Sequence, residues 1–303
     1  MSRFRRGFWL FPLFQIPLML LGVCLLLATL FWLLGWGRPN VAVVITLDLS
    51  ASTYNNQSQL FKAPNTIIAE EITAVKSYIE QNSKYLNEPN KIQVLGFADN
   101  TVFLTNSFSS ERQNIETELN QSLKDPRLIN KVGGNTNLNR AISEGIKLLS
   151  TVQDRCRELL VVTDGQAEVS QTTISQATTQ NVKINAVVVG ESAPQLQEAV
   201  SQTGGLYSLS RQGDLQSLFI KKFFPRFNSN LKWIILWLGA AWIFLMWVLT
   251  LPLDQWIFQG LMKLPMNLSG KLALGNAFFW SATTPLIIWQ LWKTFGSPFF
   301  SSC

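Results

Sequence analysis

Between Phe8 and Trp36 the chain carries no charged residue, and two further runs, Trp233 to Leu253 and Leu272 to Trp292, are uncharged as well. A hydrocarbon core of about 30 Å takes about 20 apolar residues in a helix, so each run is long enough to span it. All eleven Trp lie before residue 41 or after residue 226, and tryptophan concentrates at membrane interfaces. Pro12 and Pro17 disturb the start of the first run, yet Leu18 to Trp36 still suffices for a crossing. A signal peptide would have a shorter apolar stretch and a small-residue cleavage site, which "FWLLGWGRPN" does not offer, so an uncleaved anchor is expected. The third run contains Asn276, Ser281, Thr283, Thr284, Pro285 and Gln290. It is expected to span, with a re-entrant or interfacial segment as the alternative.

These runs divide the chain into an anchor (1–39), a central domain (40–222) and a carboxyl-terminal membrane region (223–303), whose spans are 233–253 and 272–292. Charge divides the same way. From Val41 to Arg226 there are 17 Lys and Arg against 18 Asp and Glu, while the rest of the chain holds 8 basic residues and one acid, Asp254. The net charge of +6 therefore belongs to the membrane flanks, next to the lipid bilayer. No nucleic-acid partner is expected from it, because a basic face on the folded domain would be needed. There is no His, which removes histidine-based catalytic triads and imidazole metal sites.

The central segment alternates two periods. Apolar runs stand at "VAVVITLD", "KIQVLGFAD", "TVFLTNSF", "ELLVVTD", "VKINAVVVG" and "GLYSLS". Between them, Ile68, Ile72, Val75 and Ile79, and later Leu138, Ile142, Ile146 and Leu149, recur at helical spacing. The second and third runs are close enough for an antiparallel hairpin, hence an edge strand on an otherwise parallel sheet. The expected fold class is α/β, a doubly wound, mostly parallel six-stranded sheet with flanking transmembrane helices. In such sheets ligands bind beyond the carboxyl ends of the strands.

Several oxygen-bearing side chains fall at that edge. The first strand ends in Asp48, followed by Ser50 and Ser52; a later strand ends in Asp164, followed by Gly165. Between them "VGGNTNLNRAI" is a glycine-containing loop feeding a helix, with Thr136 at the junction. Thr136 could equally be a helix cap, with Asn135 and Asn137 as competitors. Two carboxylates and three hydroxyls are hard oxygen donors, a set that suits Mg²⁺ or Mn²⁺ rather than zinc. Neutral hydroxyls leave the ion electrophilic, so a partner's Asp or Glu can complete its shell.

The motif Asp-x-Ser-x-Ser, a distant Thr and a later Asp-Gly resembles the metal-ion-dependent adhesion site of the von Willebrand factor type A (VWA) family. The resemblance covers about residues 40–222 and places a metal on Asp48, Ser50, Ser52, Thr136 and Asp164. It implies that the two Ser and the Thr touch the ion directly, and that the Asp residues bind directly or through water. The membrane flanks are similar to those of bacterial membrane-anchored members, including aerotolerance-type proteins. One departure is the polar insertion Thr53 to Ala63, expected to lie beside the metal and shape the ligand surface.

Arg3, Arg5 and Arg6 favour a cytoplasmic amino terminus, which puts the domain on the extracytoplasmic side of the cell membrane; Arg38, Lys221, Lys222, Arg226 and Lys232 argue the other way. Only "GRPN" separates the first span from the first strand, so that strand should leave the bilayer amino end first, with the metal edge pointing away. The expected function is a membrane-anchored, divalent-metal-dependent protein-interaction module or scaffold without enzymatic activity. One rival is a Mg²⁺-dependent phosphoryl-transfer or hydrolytic enzyme, against which stands the absence of a Walker-type loop or a Gly-x-Gly-x-x-Gly after the first strand. The other is an accessory subunit of a transport complex, against which stands the absence of charge inside any span.

Overall fold

The computed structural model of the protein describes residues 11–53, 66–165, 168–211 and 213–295. Contacts divide the chain into two units, Pro39–Asn228 and a second made of Met1–Arg38 with Ser229–Cys303. In chain order the elements begin with helix α1 (Pro12–Leu34), strand β1 (Val41–Asp48) and α2 (Ile67–Tyr85). The hairpin β2 (Lys91–Phe97) and β3 (Thr101–Phe103) leads to α3 (Arg112–Ser122), α4 (Leu128–Val132) and α5 (Leu138–Ser150). Then come β4 (Cys156–Thr163), α6 (Gln171–Thr179), β5 (Val182–Val189), α7 (Pro194–Gln202) and β6 (Tyr207–Ser210). The polar insertion falls largely at residues 54–65, outside the described residues.

Six strands form one sheet in the order β3-β2-β1-β4-β5-β6. Among the paired strands of the described residues β2–β3 alone is antiparallel, as the short separation of those two runs predicts. The fold class read from the sequence is the observed one. β1 lies between β2 and β4 and pairs parallel with both. Each of its apolar residues is fully buried, which is why "VAVVITL" reads as a continuous rather than an alternating hydrophobic run. Helix α5 covers this centre with Leu138, Ile142, Ile146 and Leu149, all buried. Gly145 lets it approach closely, since a Cβ there would collide with Leu159 of β4. Helix α2 buries Ile68, Val75 and Ile79, but its hidden face also takes in Glu71, Tyr78 and Asn82.

Register aligns the carboxyl ends. Thr46 stands opposite Val161, so two residues further on Asp48 is level with Thr163, the last residue of β4. The hairpin turn after β2 lies one strand away, because Asp48 is also opposite Phe97. The domain unit closes with α8 (Leu215–Leu218), a π-helical turn (Phe219–Phe223) and α9 (Phe224–Phe227). Phe219, Phe224 and Phe227 there meet the Tyr78 ring.

The second unit holds α1, α10 (Leu231–Val248), α11 (Thr250–Pro252) with the π-helical stretch Leu253–Leu261, and α12 (Met266–Phe295). Three segments, Pro12–Leu34, Leu231–Leu261 and Met266–Trp292, are long and apolar enough to cross a membrane. Asn230 Nδ2 donates to the Phe31 and Trp36 carbonyls at 2.6 and 2.8 Å, tying the start of α10 to the end of α1. Some polar residues of the third run find partners: Ser281 receives Trp247 Nε1 from α10 at 3.0 Å, whereas the buried Thr284 hydroxyl has none among the described residues. The Ser281 and Thr283 hydroxyls also bond back to carbonyls one turn earlier. That pairing lets a polar sequence continue as a single helix despite Pro285.

Candidate metal centre

Asp48 is fully buried at the end of β1, and both of its carboxylate oxygens are engaged. Oδ1 accepts the Ser50 backbone N–H at 2.9 Å, and Oδ2 accepts the Thr163 hydroxyl at 2.6 Å. The same Thr163 oxygen accepts the Gly165 N–H at 3.1 Å, so Thr163 joins the end of β1 to the Asp164–Gly165 turn. Ser52 Oγ donates to Asp164 Oδ1 at 3.0 Å and shares a hydrogen bond of 3.0 Å with Ser50 Oγ. Either hydroxyl can be the donor between Ser50 and Ser52. The resulting chain Ser50–Ser52–Asp164 runs from the buried interior to the surface, since Ser50 is 2% exposed and Ser52 is exposed.

Thr136 arrives from a third segment. A Cβ placed on Gly165 would stand 3.6 Å from Thr136 Oγ1, so that hydroxyl sits beside the Asp164 turn. The cap of α5 is Asn137, whose side chain accepts the Arg140 N–H at 3.1 Å. The capping role thus falls to Asn137 rather than Thr136. All five residues singled out in the sequence converge at the carboxyl edge of β1 and β4.

The structure adds three residues that pattern reading missed. Thr163 is hidden inside a hydrophobic strand and has no motif of its own. Glu71, fully buried on α2, accepts the Asp48 N–H with Oε2 at 3.1 Å, and its Oε1 has no hydrogen-bond partner among the described residues. The available signal was a carboxylate on the apolar face of α2, one turn after Ile68. Asp99, in the β2–β3 turn, binds the loop that carries Thr136.

Electrostatics are strained toward positive charge. Burial pushes the Asp48 carboxyl above the usual range, hydrogen bonds from Ser50 and Thr163 oppose this, and the Asp164 charge adds to it. Burial raises Glu71 well above its ordinary value, with Asp48 and then Asp164 contributing, against the bond from the Asp48 N–H. Carboxyls this close favour a nearby cation, although among the described residues no three Asp, Glu, Cys or His side chains are grouped so as to hold one by themselves. The donors brought together by Asp48, Ser50, Ser52, Thr136 and Asp164 are oxygens, and the hydroxyls supply them without charge. This chemistry fits Mg²⁺ or Mn²⁺.

Residues 42–209 match the family model for the von Willebrand factor type A domain, and the chain belongs to that family. Solved structures to which the chain is similar include a von Willebrand factor type A protein from Catenulispora acidiphila, at 16% identity and TM-score 0.47, covering 60% of this chain and 41% of that one. The chain thus spans less than half of that protein's length. An aerotolerance-related membrane protein from Bacteroides fragilis matches at 15% identity and TM-score 0.46, over 59% of this chain and 95% of that one. BatB from Bacteroides thetaiotaomicron is similar at 15% identity and TM-score 0.46, over 59% and 96%. No curated protein matches the chain.

Proposed function

We propose that the protein is a membrane-anchored VWA domain whose metal edge binds a protein partner through a divalent cation, Mg²⁺ or Mn²⁺. The observation that carries this reading is the Ser50–Ser52–Asp164 oxygen chain, which gathers donors from two separate loops with Thr136 beside them. Ser50, Ser52 and Thr136 would hold the ion, with Asp48 and Asp164 supplying negative charge directly or through water. The bound ion would act as an electrophile at an exposed edge, and a carboxylate from an Asp or Glu of the partner is the matching ligand. Hydrogen bonds from Thr163 and the Ser50 N–H keep Asp48 oriented, and the buried Glu71 accepts the Asp48 N–H.

The reading is of a binding module rather than an enzyme, since the chain has no His and no phosphate-cradling glycine loop after β1. The domain is assigned to the extracytoplasmic face on the strength of Arg3, Arg5 and Arg6. Isothermal calorimetry on the detergent-solubilised chain tests the site. One Mg²⁺ or Mn²⁺ per chain should bind weakly, because Mg²⁺ surrenders its waters reluctantly, and Asp48→Ala should abolish the heat. Equal heats in the two proteins would refute the assignment. Capture of partners from membranes should fail in EDTA and return with added Mg²⁺.

A further inference from the structure

The loop that carries Thr136 is gripped from the side opposite Asp164. Asp99 Oδ2 accepts the backbone N–H groups of Gly134 at 2.8 Å and Asn135 at 3.2 Å, while Oδ1 accepts Asn135 Nδ2 at 2.8 Å. Successive backbone N–H groups of this kind make an anion-binding nest; here the chain's own carboxylate fills it. The neighbours of Asp99 grip the same loop. Ala98 O accepts the Asn137 N–H at 2.9 Å, and the Asn100 N–H donates to Val132 O at 2.8 Å. Asn100 Oδ1 also accepts Arg140 Nη1 at 2.7 Å.

Gly134 is the junction. Its N–H goes to Asp99, and its carbonyl accepts the Ala51 N–H at 3.0 Å. Ala51 lies between Ser50 and Ser52, so one residue fixes both loops of the metal centre. Gly133 makes the approach feasible. It holds φ +85°, where L side chains are strained, and a Cβ there would collide with the Asp99 carboxylate. Asp99 itself is no member of the donor set, being one strand away at the β2–β3 turn.

We propose that Asp99 is the positioning residue of the metal centre, clamping Gly134 and Asn135 so that Thr136 and the Ser50–Ser52 loop are presented together. This rests on the metal-binding reading above. Its carboxyl is held below the usual range by Asn135 and the two N–H donors, so the clamp persists in mildly acidic solution. Removing it frees the loop without touching the core. Partners that orient metal ligands typically change affinity by about 10- to 100-fold when lost.

The test uses the full chain in detergent micelles, with Mn²⁺ binding followed by electron paramagnetic resonance and hydrogen exchange measured on the metal-free protein. Asp99→Ala and Asp99→Asn should weaken Mn²⁺ binding about tenfold and speed exchange across residues 133–136, with an unfolding temperature near that of the native protein. The swap Asp99→Asn with Asn135→Asp restores a donor facing an acceptor, and should recover both binding and protection. It also stands in should Asp99→Ala fail to fold. Unchanged loop exchange in Asp99→Ala overturns the clamp. Native Mn²⁺ affinity in a variant whose loop exchange has risen overturns its bearing on the metal. Equal Mn²⁺ binding by the native chain and Asp48→Ala instead removes the metal reading beneath it, an outcome the exchange data do not mimic.

Discussion

Thr136 and Asn137 are adjacent, yet the structure gives them different work, and the difference can be measured. Asn137 caps α5, so Asn137→Ala should cost about 1 kcal/mol of stability. Thr136→Ala should stay within about 0.5 kcal/mol, as surface changes away from packing do, while weakening Mn²⁺ binding. Chemical denaturation of both variants checks this; a larger loss for Thr136→Ala would make it the structural residue. Thr163→Val keeps the shape of the strand but deprives Asp48 Oδ2 and the Gly165 N–H of their shared partner, and should cost about 1–3 kcal/mol. Its unfolding midpoint in urea would show this, and an unchanged midpoint would mean that Thr163 does not support Asp48. The five donors were legible because each stands at a strand end or a loop with its polarity in the open. Thr163 was not, since a threonine inside "ELLVVT" is an ordinary strand residue until register places it level with Asp48.

At the scale of elements, periodicity was a good guide to which faces are buried and a poor one to what else they hide. The apolar stripe of α5 is buried as spaced, whereas α2 conceals Glu71, Tyr78 and Asn82 among its hydrophobic residues. Amphipathic patterns score polar residues as solvent-facing, so buried polar groups with tertiary partners escape them. The third strand likewise shrinks to Thr101–Phe103, because only the turn-proximal part of "TVFLTNSF" pairs with β2. β4 carries a buried acid that gives a pH signature. Burial pushes the Glu158 carboxyl above its ordinary 4.5, while Lys183, Asn185 and Arg226 pull it back. The folded state therefore binds this proton more tightly than the unfolded chain. The corresponding stability is fully present below pH 4.5 and is lost as pH rises through the folded value. Glu158→Gln retains an acceptor for Asn185 Nδ2 and has no proton to lose. Its melting temperature should rise relative to the native protein between about pH 4 and pH 8. A difference that is constant over that range would mean that pairing with Lys183 and Arg226 cancels the effect of burial.

For the whole molecule, the question is which side of the membrane meets the partner, and chain order makes that a matter of counting crossings. The VWA unit lies between the segments Pro12–Leu34 and Leu231–Leu261, and Lys263 follows the second of these. With a crossing at the second segment, one span would separate the domain from Lys263, whichever face the domain occupies. Positive residues favour the cytoplasmic ends of spans. Arg3, Arg5 and Arg6 before the first segment and Lys263 after the second share a face under this rule, leaving the domain outside. Arg38, Lys221, Lys222, Arg226 and Lys232 count against it, but first-helix charge commonly dominates orientation. In intact cells, a membrane-impermeant maleimide should label Gln197→Cys, exposed on α7, above the parent background. Lys263→Cys should be labelled only after the membrane is opened. Equal labelling of the two would remove a crossing from the second segment. Protection of Gln197→Cys alone would place the domain in the cytoplasm, and the proposed carboxylate-bearing partner would then have to be sought there.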